Sequence, residues 1–338
     1  MFIINAHTHL ELSDKSHLLP EPSAEFSSWL FKVIQSNYQR TPESTRAACE
    51  AGLQELLAAG TTHIGDISAS GLSVELIAQS GLQGIVWIEI LATTMKQGMP
   101  RLDFLKRYVN DLRELAANSQ IHVGVTLHST YSIHPGLWEP TLRWIEAEML
   151  PLCVHAAESP AEWELLTQGT GDFRVFEAKL ITSRVPSRMK NIARKLLSTL
   201  SPKRRRQLTS LGIPYDLPTP MTTPIAYLEQ KGVLAFKPLL IHAVHVSDED
   251  IERIQRSGST VVHCPRSNQR LESGRMPLEK YLALGVPVLM GTDSRTSSPS
   301  LDVREEATFA QTLHKGIVSP TQIDMMLRDV KTFEAHYK

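Results

Sequence analysis

The stretch Ile3-Ile4-Asn5-Ala6-His7-Thr8-His9 opens the chain with a short apolar run that ends in two histidines one residue apart. Three later stretches have the same form. Leu152-Cys153-Val154 leads into His155, Leu239-Leu240-Ile241 into His242, and Val286-Pro287-Val288-Leu289-Met290 into Asp293. Apolar runs this short, bounded by turn residues, read as strands of a parallel sheet buried on both faces. Polar residues at the C-terminal ends of several such strands converge in an α/β barrel, where that face carries the chemistry.

The rest of the chain fits this frame. Eight strands are expected at 1–6, 61–68, 83–91, 122–129, 150–156, 239–246, 259–264 and 287–292. Between them, 47–59, 102–117, 137–147, 248–256 and 277–284 carry apolar residues at helical spacing. Thr41-Pro42 reads as an N-cap and first helical residue. Ser159-Pro160-Ala161-Glu162 reads as a capping box, as do Ser247 with Asp250 and Ser319 with Gln322. Gly60 and Gly285 stand where helices should stop. Strand and helix alternating eight times predict a (β/α)8 TIM barrel in one domain, 1–338. A doubly wound sheet would carry a glycine-rich phosphate loop after its first strand, and 5–11 contains no glycine. One connection is too long for a single helix. A basic insertion around 170–225 separates strands five and six, and within it 179–206 holds ten basic residues and no acid. It reads as a solvated helical surface, or more sharply as a lid that attracts an anionic substrate.

Composition excludes several classes. A net charge of −1 gives no global pull toward nucleic acid or membrane, and no apolar run is long enough to span a bilayer. Three cysteines cannot build a disulfide framework, and no signal peptide is legible, so a cytoplasmic home is expected.

The metal signal rests on position. Thirteen histidines in 338 residues give about 0.5 His-x-His pairs by chance, so the motif is weak alone. On a strand, residues i and i+2 share a face. His7 and His9 would both aim into the barrel, where His155 and Asp293 complete a set of three imidazoles and one carboxylate suited to zinc or iron. Glu158 would stand on the rim. His242 is either a hydrogen-bonded core histidine or the group that orients a water, and Cys153 reads as core packing. His128 and Tyr131, after strand four, are candidate substrate contacts. Arg266 and Arg295 could meet an acidic group on the substrate or cap the surface. Strand four carries no lysine that could bridge two metals once carboxylated, which favours one divalent ion.

These motifs together resemble the metal-dependent amidohydrolase superfamily, specifically its cytosine deaminase and chlorohydrolase-like branch. The resemblance lies in Asn5-Ala6-His7-Thr8-His9-Leu10-Glu11, Val154-His155-Ala156-Ala157-Glu158-Ser159, His263-Cys264-Pro265-Arg266-Ser267-Asn268 and Gly291-Thr292-Asp293-Ser294. Glu158-Ser159, Thr170-Gly171-Asp172-Phe173 and Cys264-Pro265-Arg266-Ser267 are similar to aminodeoxyfutalosine deaminase-like members. The resemblance implies that His7, His9, His155 and Asp293 hold Zn²⁺ or Fe²⁺, and that Asp293 takes a proton from water. Glu158 would protonate a ring nitrogen and His242 would steady the water, while Asn268 is placed near the substrate. It also implies a small-molecule substrate, such as an adenine nucleoside, and loss of ammonia. Members usually carry a small flanking β-sandwich. Only six residues precede His7 here, so the sandwich is expected to be missing: either the form is trimmed, or the surface is covered by a partner or by a second copy in a homo-oligomer. The competing readings are a non-deaminating chlorohydrolase or cyclic amidase, and a metal-free scaffold barrel.

Overall fold

The computed structural model describes residues 2–21, 25–38, 40–174 and 221–338. Its eight strands are β1 Ile4–Thr8, β2 His63–Ser68, β3 Gln83–Ile90, β4 Ile121–Ser129, β5 Leu152–Ala156, β6 Leu239–His242, β7 Thr260–His263 and β8 Val288–Met290. All pair in parallel and in sequence order, with helices between them. The expected (β/α)8 barrel is thus present, nearly closed. No helix among the described residues is long and apolar enough to cross a membrane. The basic stretch 179–206 and most of the insertion around it lie outside the described residues.

Closure depends on the seam between β1 and β8. Thr8 and Asp293 form a lone parallel bridge there, and the Asp293 N–H donates to His7 O at 3.0 Å. Asn5 fastens the seam from its side chain. Its Nδ2 donates to Thr292 Oγ1 at 2.9 Å, and its Oδ1 accepts the Thr292 N–H at 3.1 Å. Gly291 lets the two strands approach, because a Cβ there would stand 2.7 Å from His7 Cβ. Lower in the barrel, Ile4 and Met290 donate their N–H groups to Leu327 O and Met326 O. The segment after the helix Pro320–Met325 therefore fills the gap that β1 and β8 leave.

The barrel interior is packed around Trp87, which is fully buried. Its indole fits because both neighbouring strands offer glycine at that level. A Cβ on Gly65 would lie 2.7 Å from the ring, and one on Gly124 2.8 Å. Phe333 and Tyr337, from the last helix and just beyond it, belong to the same interior cluster and plug one end.

Two register shifts re-aim residues at the other end. Asn5 pairs with Ile64 and Thr8 with Asp66, so three steps on β1 face two on β2. The extra residue is a β-bulge, which re-aims side chains beside active sites. Ile4 and Ala6 already face inward. In strict alternation His7 would face outward with Asn5; the bulge returns it, and His9 after it, to the interior. A second shift lies on β4, between Thr126 and Ser129.

Some boundaries depart from expectation. β1 runs through His7 and Thr8. β6 stops at His242, because His242 and Ala243 take φ of 70° and 45°, where a strand cannot continue. Thr41 caps its helix, and the boxes of Ser247 with Asp250 and Ser319 with Gln322 close. Ser159 caps its helix too, but Glu162 reaches past it to accept the Glu158 N–H. The helix Phe26–Asn37 was not anticipated.

Gly65→Ala tests the packing account. The new methyl would also meet Ala6 O at 2.3 Å, a backbone atom that cannot swing away. A loss of about 1–3 kcal/mol in unfolding free energy is expected, read by denaturant titration. Unchanged stability would show that the interior is looser than described.

Candidate metal centre and active site

His7 and His9 arrive from the bulged end of β1, His155 from β5, His242 from β6 and Asp293 from just after β8. His242 and Asp293 both adopt left-handed backbone, φ 70° and 63°. Non-glycine residues seldom do so, and such strain gathers where side-chain aim matters. The result is compact. His7 Nε2 stands 3.3 Å from His155 Nε2 and 3.5 Å from Asp293 Oδ1, and His9 Nε2 is 3.6 Å from that oxygen. A tetrahedron with bonds of about 2.05 Å has edges of about 3.3 Å. These three distances are near that edge; the donor atoms of His7, His9 and Asp293 form one close group and those of His7, His155 and His242 another, and His7 joins the two.

Hydrogen bonds orient the donors. His155 Nδ1–H donates to His128 O at 2.9 Å, which leaves the Nε2 lone pair facing the centre. Two imidazole nitrogens face each other across 3.3 Å, an arrangement that a cation between them satisfies. Asp293 Oδ2 accepts from the hydroxyls of Ser267 (2.7 Å) and Ser297 (2.8 Å), which leaves Oδ1 for the centre. His242 Nδ1–H donates to Asn268 Oδ1 at 2.9 Å, and its Nε2 lies 3.4 Å from Glu158 Oε1. Glu158 is held in turn, since its N–H donates to Glu162 Oε2 at 2.8 Å.

Burial sets the protonation states. It depresses His9 to about 3 and His242 and His128 to about 4, and it holds His155 well below its ordinary value. Neutral imidazoles are what metal ligation requires. The two carboxyls beside them diverge. Burial, then the charge of Asp293, pushes Glu158 well above the carboxylate range. Burial pushes Asp293 up as well, but His7, with His9 and His242, outweighs it and holds the carboxyl well below that range. Oxygens of these two carboxyls and a nitrogen of His242 all lie within 4.8 Å of one another.

The cluster forms one end of a cavity of about 660 Å³, within the span of roughly 300–1,000 Å³ usual for small-molecule sites. The apolar face of the helix Phe26–Asn37 supplies the opposite wall with Phe26, Trp29, Leu30, Val33 and Ile34. Trp29 Nε1–H anchors that helix to Thr296 O at 2.9 Å. Its sequence signal was apolar residues at 26, 29, 30 and 33, an ordinary helical stripe. His128 and Tyr131 both line the cavity, and Tyr131 packs on Phe173 with ring centroids 4.2 Å apart.

Three expected substrate contacts lie elsewhere. Arg266 is outside the cavity lining, because Glu306 takes its Nε at 2.6 Å and its N–H at 3.0 Å while Glu305 takes Nη1 at 2.5 Å. Arg295 also lies outside it, 3.5 Å from Glu55. Asn268 is buried under His242 and serves that histidine. Two further carboxylates line the cavity, Glu11 and Glu89. For Glu89 the signal was a lone charge inside the apolar strand 83–91.

Aminodeoxyfutalosine deaminase of Deinococcus radiodurans is 32% identical over 317 residues, which cover 93% of this chain and 68% of that protein. The crystal structure of Helicobacter pylori aminofutalosine deaminase in complex with methylthio-coformycin superposes with a TM-score of 0.74 at 20% identity, covering 96% of this chain and 70% of that one. Atrazine chlorohydrolase of Arthrobacter aurescens TC1 complexed with zinc superposes at 0.66 and 17% identity, covering 93% and 64%. The chain thus spans about two thirds of the length of these proteins. Residues 3–326 match the model of the amidohydrolase family, and this chain belongs to that family.

Proposed function

We propose that this chain is a metal-dependent hydrolase that removes the amino group of an adenine nucleoside as ammonia, with a nucleoside of the aminodeoxyfutalosine type as the leading candidate. The observation that carries the reading is the divergence of Glu158 and Asp293 around His242. Two neighbouring carboxyls shifted in opposite directions, Glu158 up and Asp293 down, suit an acid and a base in one site. Similarity to a protein named aminodeoxyfutalosine deaminase supports the choice of substrate.

One divalent ion, zinc or iron, would be held by His7, His9, His155 and Asp293. When bound, it supplies Lewis acidity and makes hydroxide available near neutral pH. The protein groups do the rest. Glu158 donates its proton to the ring nitrogen beside the amino-bearing carbon, which makes that carbon more electrophilic. His242, fixed by Asn268, keeps a lone pair on Nε2 to accept a hydrogen bond from the attacking water. Asp293 takes a proton from that water and returns it to the departing amino group. Water enters, ammonia leaves, and the ring carbon keeps the oxygen. The apolar wall of Phe26–Asn37 receives the substituent at the 5′ end of the sugar. Buried, unpaired Cys49, Cys153 and Cys264 suit a reducing cytoplasm. The pairing of histidine spacing with a Glu158 pushed well above the carboxylate range gives no support to a metal-free scaffold.

Elemental analysis of the purified protein, followed by ammonia assays on adenine nucleosides, cytosine and guanine, tests the proposal. About one metal per chain and ammonia from an adenine nucleoside are expected. No metal even after adding zinc or iron would overturn it. Metal with chloride release from a chlorotriazine, and no ammonia, would transfer the chain to the chlorohydrolases.

Three variants separate the roles. Glu158→Gln should keep the metal and lose about 10²–10⁴-fold in kcat; normal turnover would remove Glu158 from the mechanism. His155→Ala should lose the metal. Arg266→Ala should keep it but lose about 3 kcal/mol of stability, because Glu306 would be left buried without its partner. Metal loss in Arg266→Ala with stability intact would contradict the placement of that arginine.

A further inference from the structure

Asp66 is fully buried on β2 and stands behind the cavity without lining it. Its neighbour Ile67 packs into the barrel interior, so by alternation Asp66 points outward, toward the helices. There it gathers three donors. Thr8 Oγ1 and the Leu10 N–H both donate to Oδ1 at 2.9 Å. Ser73 Oγ, from the first residue of the helix Ser73–Gln79, donates to Oδ2 at 2.7 Å. Thr8 and Leu10 are the two residues that flank His9. One carboxyl thus clasps the chain on either side of a histidine of the centre. It does so where the β1 bulge ends and Thr8 comes into register with Asp66.

The other members of the centre are supported differently. His155 is fixed through its side chain by His128 O, and Asp293 by the hydroxyls of Ser267 and Ser297. His7 lies within β1 and is fully buried. His9 has neither support. It follows the last residue of β1, and its side chain is 16% exposed. Among the described residues, the ring contacts of His9 are with other members of the centre, Asp293, His7 and His155. Its aim must therefore come from its backbone. We propose that Asp66 is a positioning residue for the metal: by fastening Thr8 and Leu10 it sets the backbone of His9 and so directs that imidazole at the ion. This role presupposes His9 as a metal ligand, as proposed above, and is independent of the substrate. It is a role of geometry. Asparagine at this position keeps an oxygen for Thr8 and Leu10 and can turn its amide to Ser73 Oγ. Alanine leaves the Leu10 N–H buried without an acceptor. Glu11, the next residue along, ties the same segment to Ser68 and Ser70. With that second tie in place, loss of the Asp66 carboxyl falls on the local aim of His9.

Zinc and cobalt(II) are the probes. Wild type, Asp66→Ala, Asp66→Asn and Thr8→Val are stripped of metal, checked for fold by circular dichroism, and titrated with each ion against a competing chelator. Asp66→Ala should bind about 10–100-fold more weakly than wild type, the usual loss when a group that orients a ligand from behind is removed. The visible spectrum of its cobalt form should shift at full occupancy, because the ligand shell has changed. Asp66→Asn should keep both affinity and spectrum close to wild type. Thr8→Val removes one of the two bonds beside His9 and leaves the carboxyl, so it should weaken binding in the same direction by less; it decides the matter if Asp66→Ala does not fold. A merely structural role would lower the unfolding free energy of Asp66→Ala and leave the affinity and cobalt spectrum of the folded protein unchanged, and that result overturns the inference. Equal losses in Asp66→Asn and Asp66→Ala overturn it too, since charge would then govern. A wild type that binds no metal overturns both the role of Asp66 and the metal reading. Weakened binding in Asp66→Ala, with no ammonia released by wild type from any nucleoside, would support the role of Asp66 and overturn the deaminase reading alone.

Discussion

The site depends on the seam where the last strand meets the first. Asp293 and His7 lie at opposite ends of the chain, yet the Asp293 N–H bonds to His7 O, and Asn5 clasps Thr292 from the side. Without that contact the three histidines would face no carboxylate. Gly291 permits it, and the segment carrying Met326 and Leu327 completes it by accepting N–H groups from β8 and β1. Barrel closure and the approach of Asp293 to His7 rest on the same contacts. The terminal segment that seals the gap therefore supports the site although it lies outside the cavity lining.

The same enclosure determines the electrostatics. Burial alone would drive Glu158 and Asp293 in one direction, toward protonation. They part because their neighbours differ. Asp293 faces His7 and His9 and accepts two serine hydroxyls, whereas Glu158 faces the charge of Asp293 and a neutral His242. The two carboxyls are thus shifted in opposite directions within one small volume.

The sequence made some of this legible and hid the rest for identifiable reasons. All eight strands could be seen, because a strand buried on both faces leaves a short apolar run. The histidines and Asp293 were visible as polar residues ending such runs. The bulge in β1 was not, since an inserted residue leaves no mark in a strand of only five residues, and alternation from Ile4 would have turned His7 outward. The early stop of β6 is equally silent in sequence, because it reflects left-handed backbone at His242 and Ala243. Arg266 and Arg295 looked available because their partners, Glu306 and Glu55, are far away along the chain. The helix Phe26–Asn37 has an unexceptional stripe, and only its position across the barrel mouth gives it a role.

The central claim is that four side chains from three separate parts of the chain form one tetrahedral metal site. X-ray absorption at the metal edge of the loaded protein tests it directly. Three imidazole nitrogens and carboxylate oxygen at about 2.0–2.2 Å, without sulfur, are predicted. A shell of oxygens with no imidazole signature, or a sulfur neighbour at about 2.3 Å, would contradict the account.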